Sequence, residues 1–136
     1  MSNSSYSIKI RTRYSETDQM GYIHHGVYPV YLELARIQWL NELGISYKEL
    51  ETNGILLPVY SLSIQYLVPL TFDELIEVRL KLQEPKGAKL VFSYEIFNEQ
   101  GQKSTRAEVV LFFAGKNGKP IKPPVEIIEK IKSALI

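Results

Sequence analysis

The sequence VYLELARIQWLNEL, residues 30–43, is a long helical pattern, and the rest of the chain is organised around it. Gly26 and Pro29 precede it, and proline is tolerated in the first turn of a helix. Gly44 follows it and provides a natural C-terminal stop. Apolar side chains occupy most of the circumference of this helix. The pattern therefore predicts a buried helix roughly 23 Å long.

The remaining chain reads mainly as strands. Ile8, Ile10 and Thr12 alternate with charged residues before the helix, which is typical of a strand. After a short amphipathic turn (SYKELETN, 46–53), alternating or apolar runs occur at residues 62–66, 76–82, 90–96 and 103–114, and a small helix, VEIIEKIKSAL, follows at 125–135. One strand, a long helix and four antiparallel strands predict an α+β fold. In it, a curved five-stranded antiparallel sheet wraps around one central helix.

Composition sets limits on the class of protein. The chain has 136 residues, a net charge of +1 and no cysteine. One domain, residues 1–136, is expected, without disulfides or zinc–cysteine sites. Lys and Arg are scattered, so nucleic-acid binding is not expected. The polar N-terminus, MSNSSYS, lacks an apolar signal core, and no run of 18 apolar residues occurs. We therefore expect no membrane span and a cytoplasmic location.

The loop YSETDQMGYIHHGVY, residues 14–28, carries the candidate chemistry. It joins the first strand to the helix and contains the carboxylate of Asp18 and two histidines, His24 and His25. A helix start leaves backbone N–H groups without internal partners. Such a loop suggests an acid or base aimed at a group that becomes negative during a reaction.

Simpler interpretations of the same residues exist. Taken alone, Asp18 is expected to cap a turn or pair with Arg13. Adjacent histidines are expected to diverge, and a two-histidine metal site prefers i, i+4 spacing, so no metal is expected. Glu33 and Arg36, three residues apart on the helix, are expected to form a surface or interface pair.

The longer segment RTRYSETDQMGYIHHGVYPVYLELAR, residues 11–36, favours a catalytic role over these simpler interpretations. It closely resembles the 4-hydroxybenzoyl-CoA thioesterase-like, YbgC-like branch of the hotdog-fold acyl-CoA thioesterases. The shared pattern is Y-x-E-T-D-x-x-G, two hydrophobic residues, a His or Tyr seven residues past the Asp, and then a Tyr and the helix. LVPLTFDELIEV, GAKLVFSYEI and AEVVLFF resemble later strands of that family, so the likeness extends from about Ile8 to Pro120.

The resemblance implies a fold, an activity and a set of site residues. It implies a hotdog fold that hydrolyses an acyl- or aroyl-CoA to the free acid and CoA, without a cofactor. Asp18 matches the catalytic carboxylate, as nucleophile or general base, and the backbone N–H at His25 matches the group that holds the thioester carbonyl oxygen. The residues expected at the substrate are Tyr14, Gly21, Tyr28, Val59, Ser61, Lys86 and Lys89. The two lysines are expected either to contact the CoA phosphates or to be solvated surface residues.

Two other functions stay open at this point. The first is hydrolysis of an acyl-acyl carrier protein on the same fold, which a basic patch around the pocket mouth would favour. The second is non-catalytic acyl binding, which would be favoured if the carboxylate were missing. Because Asp18 is present, the enzyme is preferred over the binding protein.

The distribution of apolar residues predicts an oligomer. On the last strand, Val110 and Phe112 face away from Val109, Leu111 and Phe113, so both faces carry apolar groups. Monomers rarely leave such a patch in water. A homodimer or homotetramer is therefore expected, in which the loop around Asp18 lies against residues 57–63 of the neighbouring chain, as in related enzymes.

Overall fold

The computed structural model describes residues 5–135, so the first four residues of the polar N-terminal segment and the final residue lie outside it. Two single 3-10 turns, Tyr14–Glu16 and His25–Val27, lie in the loop before the first helix. The predicted order of helices and strands is confirmed. In chain order the elements are β1 (Ser5–Arg11), α1 (Tyr28–Glu42), α2 (Tyr47–Thr52), β2 (Val59–Tyr66), β3 (Leu75–Leu82), β4 (Lys89–Phe97), β5 (Lys103–Phe112) and α3 (Val125–Ala134).

The five strands form one antiparallel sheet in the order β1-β3-β4-β5-β2. α1 packs against one face of it, and Trp39 of α1 meets Phe92 of β4 edge-on, with ring centroids 5.8 Å apart. A five-stranded antiparallel sheet around one long helix, with a short C-terminal helix, confirms the predicted hotdog fold. None of the helices within residues 5–135 has the length and apolar character needed to cross a membrane.

The hydrophobic core lies between α1 and the three central strands. Every second residue of β3, β4 and β5 is buried towards the helix, as the period of a strand requires. Burying one Leu, Ile, Val or Phe side chain contributes about 1.5–3 kcal/mol, so these rows hold the sheet on the helix. They comprise Ile76, Val78, Leu80 and Leu82 of β3, Leu90, Phe92, Tyr94 and Ile96 of β4, and Ala107, Val109 and Leu111 of β5.

The opposite face of the sheet is mainly polar. Arg79 pairs with Glu77, and its guanidinium carbon lies 4.5 Å from the centre of the Phe97 ring. The apolar groups predicted on this face, Val110 and Phe112, are only half-buried. Tyr60 of the same chain contacts Phe112, with ring centroids 6.0 Å apart. The outer apolar patch is therefore smaller than the sequence alone suggests.

α1 is not fully buried in the single chain. Its inner side lies in the core, but Val30 and Leu34 on its outer side are 55% and 42% exposed. Because two large apolar residues on one helix face meet water, the expectation of a fully buried helix holds only if a further surface covers this side.

Candidate active site

The loop before α1 folds as a small hairpin. Asp18 N–H donates to the carbonyl of Tyr22 at 2.8 Å, and His24 N–H donates to the carbonyl of Glu16 at 2.8 Å. Gly21 closes the turn with φ = +84°, a left-handed conformation that residues with a Cβ rarely adopt. Substitution of Gly21 would therefore strain the turn that holds Asp18, which gives Gly21 a conformational role beside the predicted contact with substrate.

Asp18 sits at the tip of this hairpin. Its Oδ1 accepts hydrogen bonds from the N–H groups of Met20, at 2.9 Å, and Tyr22, at 3.1 Å. Oδ2 accepts none within residues 5–135. The predicted alternative of an Asp18–Arg13 pair is wrong, because Arg13 pairs with Glu16 at 3.1 Å. The carboxylate does cap its own turn, but one oxygen fixes the side chain and the other is left for chemistry.

The 3-10 turn directly before α1 holds a backbone donor that has no partner among residues 5–135. His24 caps the turn that leads into the helix, and its Nδ1 accepts the N–H of Gly26 at 2.9 Å. A Cβ added to Gly26 would lie 3.1 Å from that Nδ1, so glycine permits the close approach. The N–H of His25 makes no hydrogen bond within the described chain. It is therefore free to donate to a substrate oxygen.

The two histidine rings stack on each other. Their centroids are 4.3 Å apart and their planes differ by 25°. The expectation that adjacent side chains diverge is wrong here, because the 3-10 turn that begins at His25 changes the backbone direction between them. The carbonyl of His25 accepts a hydrogen bond from the hydroxyl of Tyr66, at the end of β2, at 3.0 Å. This bond fixes the peptide next to the free N–H.

Glu16 ties the loop to β1 and α1. Its Oε1 accepts hydrogen bonds from the Tyr31 hydroxyl, at 2.7 Å, and the Arg13 N–H, at 2.9 Å. Partial burial alone would raise the pKa of Glu16, but these bonds and the Arg13 guanidinium outweigh it, so the pKa lies below the ordinary carboxyl value. Burial and the bond to Glu16 raise the pKa of Tyr31, which keeps that hydroxyl a donor. Sequence reasoning quoted Glu16 within the loop motif but missed this role.

Two predicted contact residues lie near the loop. Tyr14 is exposed and packs edge-on against Phe72, with ring centroids 5.1 Å apart, on the surface of the loop region. Tyr28 is buried at the first turn of α1 and packs against Tyr66, with centroids 4.9 Å apart. Burial raises the pKa of Tyr28, so the ring is a neutral core group beneath the loop.

The other predicted contact residues lie far from Asp18 within one chain. Val59 and Ser61 stand at the start of β2, whereas Tyr66, which bonds to His25, stands at its end. Lys86 and Lys89 are exposed in the β3–β4 hairpin. Lys89 pairs with Phe112 at the end of the sheet that also holds Val59. A single chain therefore brings together only the residues of the 14–28 loop.

The predicted Glu33–Arg36 pair is wrong. No carboxylate oxygen of the described residues lies within 4.0 Å of the Arg36 guanidinium. Arg36 is buried, and its Nη1 donates to the hydroxyl of Tyr94 at 3.2 Å. Sequence reasoning placed Arg36 in a surface or interface pair because it lies three residues after Glu33 on the helix.

A separate concavity lies on the other face of the sheet. It has a volume of about 690 Å³ and is lined by charged residues that include Arg79, Glu95 and Arg106. Two of the charges on this face are already paired within the chain, Arg79 with Glu77 and Glu95 with Lys103. It lies opposite the face that packs on α1, so it does not include the start of the helix.

A fixed carboxylate and a free backbone N–H in the loop that leads into a helix suit attack on a carbonyl compound. Charge develops on the carbonyl oxygen during such attack, and oriented N–H groups stabilise it. The positive end of the helix dipole acts in the same direction.

Comparison with known proteins shows the family. The model described as thioesterase superfamily, 4HBT, matches residues 20–105, more than half of the chain. The chain therefore belongs to the thioesterase superfamily, which confirms the resemblance seen in the loop.

Three relatives illustrate the match. YneP of Bacillus subtilis, a protein named for a proposed acyl-CoA thioesterase activity, is 37% identical to this chain over 99 residues. The match covers 73% of this chain and 72% of YneP. The acyl-CoA thioesterase YbgC of Haemophilus influenzae is 29% identical over 129 residues, covering 93% and 94%. The crystal structure of DHNA-CoA thioesterase from Staphylococcus aureus aligns with a TM-score of 0.89 at 32% identity, covering 95% and 89%.

Proposed function

We propose that this chain is an acyl-CoA thioesterase that hydrolyses an acyl- or aroyl-CoA to the free carboxylic acid and CoA. One observation carries the proposal. Among residues 5–135, the N–H of His25, just before α1, and Oδ2 of Asp18 both lack partners, and both belong to one hydrogen-bonded loop. The family supports the same class of reaction.

The reaction needs a nucleophile and a site for negative charge. As the nucleophile adds to the thioester carbon, the N–H of His25 stabilises the negative charge that develops on the carbonyl oxygen, and the C–S bond breaks as that charge is lost. Asp18 acts in one of two ways. As nucleophile, its free oxygen forms an acyl anhydride and releases CoA thiolate, and water then cleaves the anhydride. As general base, it takes a proton from the water that attacks the carbonyl carbon. Both routes consume one water and yield an acid and a protonated thiol.

We further propose that the active species is a dimer joined through β2. β2 is an edge strand with eight residues, and Val59, Tyr60 and Leu62 on it are large, apolar and exposed. An exposed edge of this kind invites pairing with another chain. Antiparallel pairing of two β2 strands would also bring the exposed side of α1 towards its copy.

Such a dimer would complete the site. Antiparallel pairing sets the start of one β2 beside the end of the other, where Tyr66 bonds to His25. Val59 and Ser61 would then reach the Asp18 loop of the partner, although they are remote from it within one chain. The hairpin with Lys86 and Lys89 lies at the same end of the sheet as Val59, so it too would approach the partner's loop.

Leu62→Asp should convert the dimer to monomers and abolish most hydrolysis, because a carboxylate at the centre of the β2 edge would be buried between two chains. The matched control is Lys9→Asp on β1, the other edge strand, which should keep both the dimer and the activity. Sedimentation velocity at micromolar concentration, with an activity assay on the same samples, measures both. A wild-type protein that is fully active at the mass of one chain would exclude the dimer.

The function itself is tested with acyl-CoA and the matching acyl-pantetheine, which lacks the nucleotide. Free thiol release should be observed from both. The double variant Lys86→Ala, Lys89→Ala should raise KM for acyl-CoA several-fold and weaken its dependence on salt. The KM for acyl-pantetheine should not change. If a broad panel of acyl- and aroyl-CoA thioesters releases no thiol, the proposed function is wrong, whereas an unchanged KM would remove only the role of the two lysines.

A further inference from the structure

Arg36 is a buried cation without a paired anion in the described chain. The residue is 4% exposed, and its Nη1 donates to the hydroxyl of Tyr94 at 3.2 Å. Nε is enclosed and has no partner. A guanidinium does not lose its proton in a protein. Because a buried charge is unfavourable unless it is paired and hydrogen-bonded, this arrangement calls for a compensating group.

The neighbouring side chains do not supply that negative charge. Burial raises the pKa of Tyr94 and of Tyr47, while the charge of Arg36 acts against that rise, and both hydroxyls stay neutral. The carboxylate of Glu33, one turn earlier on α1, is exposed and more than 4.0 Å from the guanidinium. Its charge is solvated, so it compensates Arg36 only weakly.

A cleft between α1 and β2 leads from the helix start to Arg36. It begins at Pro29, four residues after His25, and Arg36 lies seven residues further along, a rise of about 10 Å. Its volume is about 160 Å³, of the order of the ~150 Å³ cavity known to hold a benzene molecule. Besides Glu33 and Arg36, the walls are apolar: Pro29, Val30, Leu32, Val59, Leu62 and Val109.

We propose that this cleft receives the acyl group and that Arg36 binds a carboxylate at its far end. The inference rests on the proposed function and names its substrate class: the CoA thioester of a dicarboxylic acid, with the second carboxylate free. With Nη1 directed at Tyr94 and Nε enclosed, Nη2 is the guanidinium nitrogen left to donate a charge-assisted hydrogen bond to that carboxylate. An extended chain of about ten bonds spans the roughly 10 Å between Pro29 and Arg36 along the cleft.

Glu33 provides a second, independent test of the carboxylate site. It lines the same cleft and is exposed, so its negative charge would oppose an incoming carboxylate without taking part in the fold. Arg36 and Glu33 should therefore act in opposite directions on the same substrate. A purely structural role for Arg36 predicts no such opposition.

The test compares CoA thioesters of straight-chain monocarboxylic and dicarboxylic acids with equal carbon number, from about six to twelve carbons. The wild-type protein should show a kcat/KM at least about tenfold higher for the dicarboxylic member of the best pair. Arg36→Met should remove this preference by lowering kcat/KM for the dicarboxylic thioester, with the monocarboxylic one unchanged or improved. Glu33→Gln should increase the preference by lowering KM for the dicarboxylic thioester only.

Three results would overturn the proposal. A wild-type protein without preference for the dicarboxylic thioester does so by itself, whether or not Arg36→Met folds. An Arg36→Met variant that loses both activities equally would assign Arg36 to the fold or to a carboxylate of a second copy. A Glu33→Gln variant that weakens the preference would contradict the charge argument. If neither thioester is hydrolysed at any length and the wider acyl- and aroyl-CoA panel is also inert, the proposed function fails. If thioesters are hydrolysed but the dicarboxylic ones are not preferred, only the proposed substrate class is rejected and the proposed function stands.

Discussion

Asp18→Asn is expected to lower kcat for acyl-CoA hydrolysis by about 10²–10⁴-fold and to leave the fold intact. The Asn Oδ1 can still accept the two hydrogen bonds from Met20 and Tyr22 that shape the turn. Its amide nitrogen, in place of Oδ2, is neither a nucleophile nor a base. The substitution therefore removes the proposed chemistry with little change in shape.

The matched control for this variant is Asp73→Asn. Asp73 is exposed, pairs with Arg11 at 3.3 Å and has φ = +59°, a conformation that Asn tolerates. Asp73→Asn makes the same chemical change outside the Asp18 hairpin, so the kcat of this variant should match that of the wild type. Thiol release is measured at saturating acyl-CoA, with circular dichroism and thermal unfolding on both variants. If Asp18→Asn keeps more than about a tenth of wild-type kcat, Asp18 is not the catalytic group.

The regular elements could be predicted because their patterns are local. The alternation of β3 and β4 and the continuous apolar pattern of α1 follow from the periods of a strand and a helix. The beginning of β2 was harder to place, because an edge strand is exposed on both sides and so loses the alternation that marks a strand. The spatial order of the strands depends on pairings such as β1 with β3, across more than 60 residues, which no local pattern contains.

The site was only partly predictable for the same physical reason. The loop motif pointed to Asp18 and His25, and the structure places Asp18 in the hairpin of that loop and His25 in the 3-10 turn that follows it. The bond from Tyr31 to Glu16 spans 15 residues, that from Tyr66 to His25 spans 41, and that from Arg36 to Tyr94 spans 58. These contacts depend on how α1 lies in the sheet. From the helix pattern alone, Arg36 was therefore assigned to a surface or interface pair with Glu33.

His25→Pro tests the proposed oxyanion site through the backbone. Proline lacks an N–H, and its fixed φ suits the first residue of a helical turn. The preceding residue, His24, has φ = −59° and ψ = 137°, in the extended region that a residue before proline adopts. The backbone should therefore accept proline while losing the single donor that the proposal assigns to the thioester oxygen.

The matched variant His25→Ala keeps the N–H and removes only the ring. We expect His25→Ala to retain near wild-type kcat and His25→Pro to fall about 10²–10³-fold below it, the effect of removing one oxyanion-hole donor. The most direct measurement is therefore kcat of these two folded variants on the same acyl-CoA. A ratio of about 10² or more supports hydrolysis at the start of α1. Equal kcat values for the two variants would contradict it.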